Sequence, residues 1–171
     1  MARAALAQLD LEKVVWMPTG DPRYRQAPVA PAEHRVAMLR LALESEGDWE
    51  IDTRELAPGA SGYTLDTLHE LRLELGRETT LVLLIGADQY DKLGAWHRPD
   101  EVKRLAKIAV FRRPGFGKKM GKDALAVEME PTAISGSEIR ARLARGEAID
   151  HMVPAAVAGY IAEHGLYRAP H

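Results

Sequence analysis

The run Leu81-Val82-Leu83-Leu84-Ile85, followed at once by Gly86-Ala87-Asp88, is the stretch that most narrows what this chain can fold into. Five consecutive aliphatic residues offer no polar face, so a strand built from them has to be covered on both sides, and the residues after it stop it in an open turn. A strand covered on both sides belongs in a parallel sheet. Open parallel sheets take ligands at the carboxyl ends of their strands, which places Asp88 where a ribose or a phosphate would be met. The alternative reading is a carboxylate that only caps the next helix.

Strand and helix alternate on either side of that stretch. Residues 2–11 carry small and apolar side chains at helical spacing, and 13–17 make a short buried strand closed by Pro18. A Gly/Pro/Arg-rich loop bearing Arg23, Tyr24 and Arg25 leads to Pro31, which opens a helix with Val36, Leu39 and Leu43 on its apolar face. Residues 49–53 alternate as an edge strand. Thr64 is expected to cap the next helix, whose buried stripe is Leu65, Leu68, Leu71 and Leu75 and whose exit is Gly76. A short helix follows Asp88, then Trp96-His97-Arg98-Pro99, an amphipathic segment over 100–105, a buried strand over 107–111 and a last strand over 124–129. Helices over 135–145 and 154–164 close the chain, each followed by glycine. The pattern predicts one α/β domain over 1–171, doubly wound on a mainly parallel sheet, with strands at 13–17, 49–53, 81–86 and 107–112 parallel and Asp88 and Ser135 facing one cleft.

Composition excludes several alternatives. The chain has 171 residues, enough for one sizeable core, and a formal net charge of −2 from 23 basic and 25 acidic residues, which gives no global reason to bind nucleic acid or a membrane. With no cysteine there is no disulfide, thiolate metal site or thiol nucleophile, and a reducing cytoplasm is the natural compartment. No apolar run approaches the roughly 18 residues of a membrane span. The six histidines form neither an i, i+4 pair nor H-E-x-x-H, so no metal ligands are assigned. The basic run from Gly117 to Lys122 fails as a P-loop: it is one residue short, and Asp123 stands where a Ser or Thr would hold magnesium. A homo-oligomer is left open.

Ile134-Ser135-Gly136-Ser137-Glu138-Ile139-Arg140 is the most informative motif. Ser135 with Glu138 three residues on is a capping box, and it leaves the amides of Gly136 and Ser137 free to point at an anion. Arg140, one turn in, can reach the same anion bidentately. A purely structural cap satisfies the same spacing. Trp96, beyond the central strand, is either a stacking platform for a flat ring or a core residue.

Taken together, these pieces resemble the bacterial nicotinate-nucleotide adenylyltransferases of the nucleotidyltransferase superfamily. The resemblance runs through Trp16-Met17-Pro18 and the loop to Arg25, His34-Arg35 with Met38-Leu39, Arg54-Glu55-Leu56 and Tyr63-Thr64. It continues through Ile85 to Asp88, Trp96, Arg112 to Gly115, Ile134 to Arg140 and the ending Gly165-Leu166-Tyr167-Arg168. It implies transfer of AMP from ATP, carried with Mg2+, to nicotinate mononucleotide. It further implies that Ser135, Ser137 and Arg140 bind the triphosphate, with Ser137 and Arg140 acting in catalysis. Gly86 and Asp88 would meet the nucleotide ribose, Tyr63, Thr64 and Trp96 would hold the nicotinate ring, and Arg25 and Arg113 would lie on the phosphate side.

The chain also departs from that pattern. The family opens with a strand, a G-G-T-F-D-P loop and an H-x-G-H helix start, none of which occurs here, so the first strand is expected to be missing from the centre of the sheet. Gly62 replaces a usual Ser, Gly136 a usual Ser or Ala, and Ser137 a usual Thr. Histidine and glycine-loop donors act on the transferred phosphoryl group, and each such donor is worth about 10²–10³ in rate, so the chain as written is expected to turn over poorly. The alternative to an adenylyltransferase is a non-catalytic nucleotide-binding or interaction protein of the same descent.

Overall fold

The computed structural model describes residues 1–20, 28–44, 49–111, 120–129 and 134–168. The described strands are β1 Val15–Trp16, β2 Glu50–Ile51, β3 Val82–Gly86, β4 Lys107–Phe111 and β5 Ala124–Val127. The described helices are α1 Ala2–Gln8, α2 Ala32–Leu43, α3 Thr64–Leu75, α4 Ala87–Tyr90, α5 Pro99–Leu105, α6 Gly136–Ala144 and α7 Ala155–Glu163. They belong to two compact units, Met1–Val14 with Ser61–Pro131 and Val15–Ala60 with Thr132–His171.

The first unit is a parallel sheet of order β3-β4-β5 covered on both faces. Alternate residues of β4 point to opposite sides. Ile108 and Val110 join Leu65 and Leu68 of α3, Leu93, and Val102 with Ala106 from the α5 end, whereas Ala109 and Phe111 join Ala5 of α1 and Val127 of β5. The most deeply buried strand is therefore β4. The run over residues 81–85 is covered on both faces as expected, with Leu81, Leu83 and Ile85 on the first cluster and Val82 and Leu84 on the second, but 81–84 are only half-buried, and among the described residues β3 is paired along one edge alone. At the other side of the sheet the Gln8 side chain imitates a neighbouring strand: its Nε2 donates to the Glu128 carbonyl at 2.6 Å and its Oε1 accepts from the Glu128 amide at 2.9 Å. Backbone groups at the sheet edge are satisfied locally in this way.

Helix α3 ends at Gly76, where φ is +78°, a conformation glycine adopts without strain. One side chain gathers the loose carbonyls beyond it. The Arg72 guanidinium donates to the carbonyls of Gly76, Arg77 and Thr79 and, at 2.8 Å, to that of Leu105, tying the α3 exit to the end of α5. Cationic donors near a helix C-terminus also oppose its partial negative charge.

In the second unit β1 and β2 pair in parallel, Val15 with Glu50 and Trp16 with Ile51. The Asp52 amide prolongs the ladder by donating to the Trp16 carbonyl at 2.9 Å. Asp52 then takes the Arg54 amide on one oxygen and the Arg54 guanidinium on the other, at 2.9 and 2.7 Å, which turns the chain into a single 3-10 turn over Arg54–Leu56. Gly20 lies so close beneath that turn that a Cβ would stand 2.0 Å from the Glu55 carbonyl oxygen. Helices α2 and α7 pack together around Ile149, Val157 and Ile161, with Met38, Leu41, Ile139 and Leu143 against that cluster.

The strands expected over 13–17 and 49–53 are thus two residues each, and no ladder among the described residues joins β1–β2 to β3–β4–β5. All pairings are parallel, as the alternation of strand and helix predicts.

Candidate functional site

In the first unit β3 stops at Gly86 and α4 starts at Ala87, which brings the Asp88 carboxylate to the carboxyl end of the strand. Asp88 lies in the first turn of α4, where Gly86 is the capping residue, so it does not itself cap the helix. Its carboxylate folds back over Gly86. A Cβ at Gly86 would stand 2.7 Å from Asp88 Oδ1, so a side chain there would displace the group. Oδ2 accepts weakly from Gln89 Nε2 at 3.2 Å. Asp88 is half-buried, and Oδ1 has no hydrogen-bond donor among the described residues.

Helix α3 begins at Thr64, with Tyr63 at its cap position. The expectation that Thr64 caps it fails by one residue, because the turn before it is already closed by Ser61 Oγ, which accepts from the Tyr63 amide at 3.1 Å. The Tyr63 ring stacks on His97, centroids 4.5 Å apart and planes inclined by 27°. Trp96, next in chain to His97, follows a 3-10 turn over Leu93–Ala95; it is half-buried and packs against the larger apolar cluster. It is thus a core contact on one side and partly open on the other. Arg98 has φ +49° and ψ +59°, a conformation costly for a residue with a Cβ. Its guanidinium lies 2.8 Å from a Glu101 oxygen, and His69 Nε2 lies 3.4 Å from the other.

In the second unit α6 begins where its motif predicts. Ser135 Oγ accepts from the Glu138 amide at 3.1 Å. The return half of the capping box is not made, because Arg142 one turn on holds the Glu138 carboxylate at 2.9 Å. Arg140 turns back toward the helix start: its Nη2 donates to Ser137 Oγ at 3.2 Å, and a Cβ on Gly136 would stand 3.2 Å from its Nη1. The glycine that replaces a usual Ser or Ala gives the guanidinium that room. Ser137 and Arg140 are exposed, so this end of α6 presents amides, a hydroxyl and a cation to solvent together. Tyr167, at φ +64°, is half-buried on the cluster shared with Ile139 and Leu143. Burial raises its hydroxyl above the usual tyrosine range, against the opposing pull of Arg140 and Arg35.

Gly86, Asp88, Tyr63, Thr64 and Trp96 are thus in the first unit, and Ser135, Ser137 and Arg140 in the second. Arg25 and Arg113 lie outside the described residues. Sequence reasoning did not foresee the stack of His97 on Tyr63, although two flat side chains in succession at Trp96-His97 were the signal. It also gave no role to Tyr167 in the ending Gly165 to Arg168.

A model of the cytidylyltransferase-like family matches residues 1–142. A probable nicotinate-nucleotide adenylyltransferase of Laribacter hongkongensis is 40% identical, the match covering 99% of this chain and 87% of that protein. One of Sodalis glossinidius is 36% identical over 96% and 88%. Among solved structures, a Plasmodium falciparum nicotinic acid mononucleotide adenylyltransferase complexed with NaAD superposes with a TM-score of 0.73 at 16% identity, over 96% of this chain and 90% of that one. A crystal structure described as a "Putative Nicotinate-nucleotide Adenylyltransferase" from Vibrio parahaemolyticus gives 0.70 at 15%, over 98% and 86%.

Proposed function

The chain belongs to the cytidylyltransferase-like family, among its nicotinate-nucleotide adenylyltransferases, and from that membership we propose that it transfers AMP from ATP to nicotinate mononucleotide. The products are nicotinate adenine dinucleotide and pyrophosphate. A phosphate oxygen of the mononucleotide attacks the α-phosphorus of ATP, the new P–O bond forms, and the bond to the β-phosphate oxygen breaks with pyrophosphate leaving. No covalent enzyme intermediate is needed. The protein's work is positioning and charge stabilisation.

Magnesium enters as part of the substrate, MgATP. Gly86 and Asp88 meet the ribose: Oδ1 of Asp88 is an acceptor with no donor among the described residues, and Gly86 leaves the room the carboxylate occupies. Ser135, Ser137 and Arg140 hold the triphosphate at the α6 start. Trp96 and Tyr63 flank the nicotinate ring, with the amides at Thr64 close to its carboxylate. Arg25 and Arg113 add positive charge on the phosphate side, and the cytoplasm supplies both substrates.

The observation that carries this reading is the α6 start, where Arg140 is folded onto Ser137 and Gly136 beside helix amides that have no acceptor among the described residues. Calorimetric titration with MgATP tests it. Arg140→Ala is expected to weaken binding about tenfold, the low end for a charge-assisted contact because the side chain is exposed. Unchanged affinity would remove Arg140 from the triphosphate site.

A further inference from the structure

We propose that Tyr167 is a positioning residue for Arg140, its ring buttressing the guanidinium at the α6 start, an inference that rests on the triphosphate site proposed above. Little else holds Arg140. Its hydrogen bond to Ser137 Oγ is long, at 3.2 Å, and the residue is exposed. The nearby carboxylates of α6 and its exit are taken by other arginines, Glu138 by Arg142 and Glu147 by Arg145. Among the described residues Arg140 thus has no carboxylate partner, so its charge is unspent, but a long exposed side chain with one weak contact loses rotamer freedom when it is fixed on a ligand. A neighbour that restricts those rotamers beforehand, without neutralising the charge, lowers the ordering cost of binding.

Tyr167 meets both conditions. It packs on the same cluster as Ile139 and Leu143, the apolar residues of α6 on either side of Arg140 in sequence, and Leu143 lies one turn beyond Arg140. Burial raises its hydroxyl above the usual tyrosine range against the opposing pull of Arg140 and Arg35, so both guanidiniums lie within electrostatic reach of a phenol that stays neutral. A carboxylate in that place would cancel the charge that a phosphate needs; a neutral ring does not. Arg35 is itself fixed, its Nε and Nη1 donating to the carbonyls of Ala30 and Thr19 at 3.2 and 2.7 Å. A fixed like charge near the same phenol repels Arg140 and narrows its rotamers further, weakly because Arg140 is exposed. The backbone is strained to bring the ring there. Gly165 and Tyr167 take left-handed conformations, with φ of +59° and +64°, and the second is costly for a residue with a Cβ. Between them the Leu166 amide donates back to the Ile161 carbonyl at 3.0 Å, which anchors the turn on α7.

The test is a double-mutant cycle on the full chain, read by calorimetric titration with MgATP, with urea midpoints measured alongside. Tyr167→Leu and Tyr167→Met keep an apolar contact and lose the ring. Each is expected to weaken MgATP binding about threefold, less than the loss on removing the guanidinium itself, and to add nothing in an Arg140→Ala background. Tyr167→Phe keeps the ring and is expected to stay within about twofold of the unaltered chain. A merely structural role would lower the urea midpoint in both backgrounds without this dependence on Arg140. Unchanged affinity in the folded Leu and Met variants, or an equal loss with and without Arg140, would overturn the inference and leave the triphosphate site standing. Unchanged affinity in Arg140→Ala alone would remove that site and this inference with it.

Discussion

At Gly86 the absence of a side chain is what lets Asp88 fold back over the end of β3, and the geometry makes this testable. Gly86→Ala would put a methyl group 2.7 Å from the carboxylate oxygen, so Asp88 has to swing away. MgATP affinity is expected to fall about tenfold, the size of one charge-assisted hydrogen bond, while thermal stability changes little. Equal affinity would show that Asp88 does not meet the nucleotide. Gly20 is the contrasting case, because the atom in the way is backbone. Gly20→Ala is expected to cost about 1–3 kcal/mol by overpacking, read as a lowered urea midpoint. Trp96→Ala is expected to weaken nicotinate mononucleotide binding by about 1–3 kcal/mol and leave MgATP nearly untouched. Equal losses for both ligands would mean that its packing on the apolar cluster is all it does.

Among the elements, α6 is where local sequence says most. Ser135→Ala removes the acceptor of the Glu138 amide and is expected to cost about 1 kcal/mol of stability, whereas Ser135→Asp retains a cap and costs little. A chemical denaturation series of the two variants separates these outcomes. The start of this helix was legible because the cap is formed by residues three apart in sequence. The missing return bond was not legible, since it depended on which partner Glu138 prefers, and Arg142 one turn on is the better one. The same limit explains α3. Thr64 has the right chemistry for a cap, but Ser61 closes the preceding turn and moves the cap position to Tyr63. Strands at 13–17 and 49–53 were found in place and overestimated in length, because a ladder extends only as far as its partner runs beside it.

For the whole molecule, parallel pairing followed from the alternation of strands with helices, since each strand has to cross back before the next one pairs. Strand order did not follow. The five aliphatic residues 81–85 read as a strand covered on both faces, and they are, yet β4 is the more deeply buried because both its edges are paired and helices cover both its faces. Burial of a strand is set by neighbours distant in sequence, and no local pattern encodes them. Asp88, Trp96 and the Ser135–Arg140 motif stood out by position and spacing with a structural alternative beside each, while the stack of His97 on Tyr63 joins residues distant in sequence and emerged only from the folded chain. The central claim, adenylyl transfer to nicotinate mononucleotide, is tested most directly by product analysis. The protein to use is this chain with the G-G-T-F-D-P loop and H-x-G-H helix start expected of the family joined ahead of it. With MgATP and nicotinate mononucleotide the account predicts equimolar nicotinate adenine dinucleotide and pyrophosphate, dependent on both substrates. A joined protein that is folded and binds MgATP but forms neither product would contradict it.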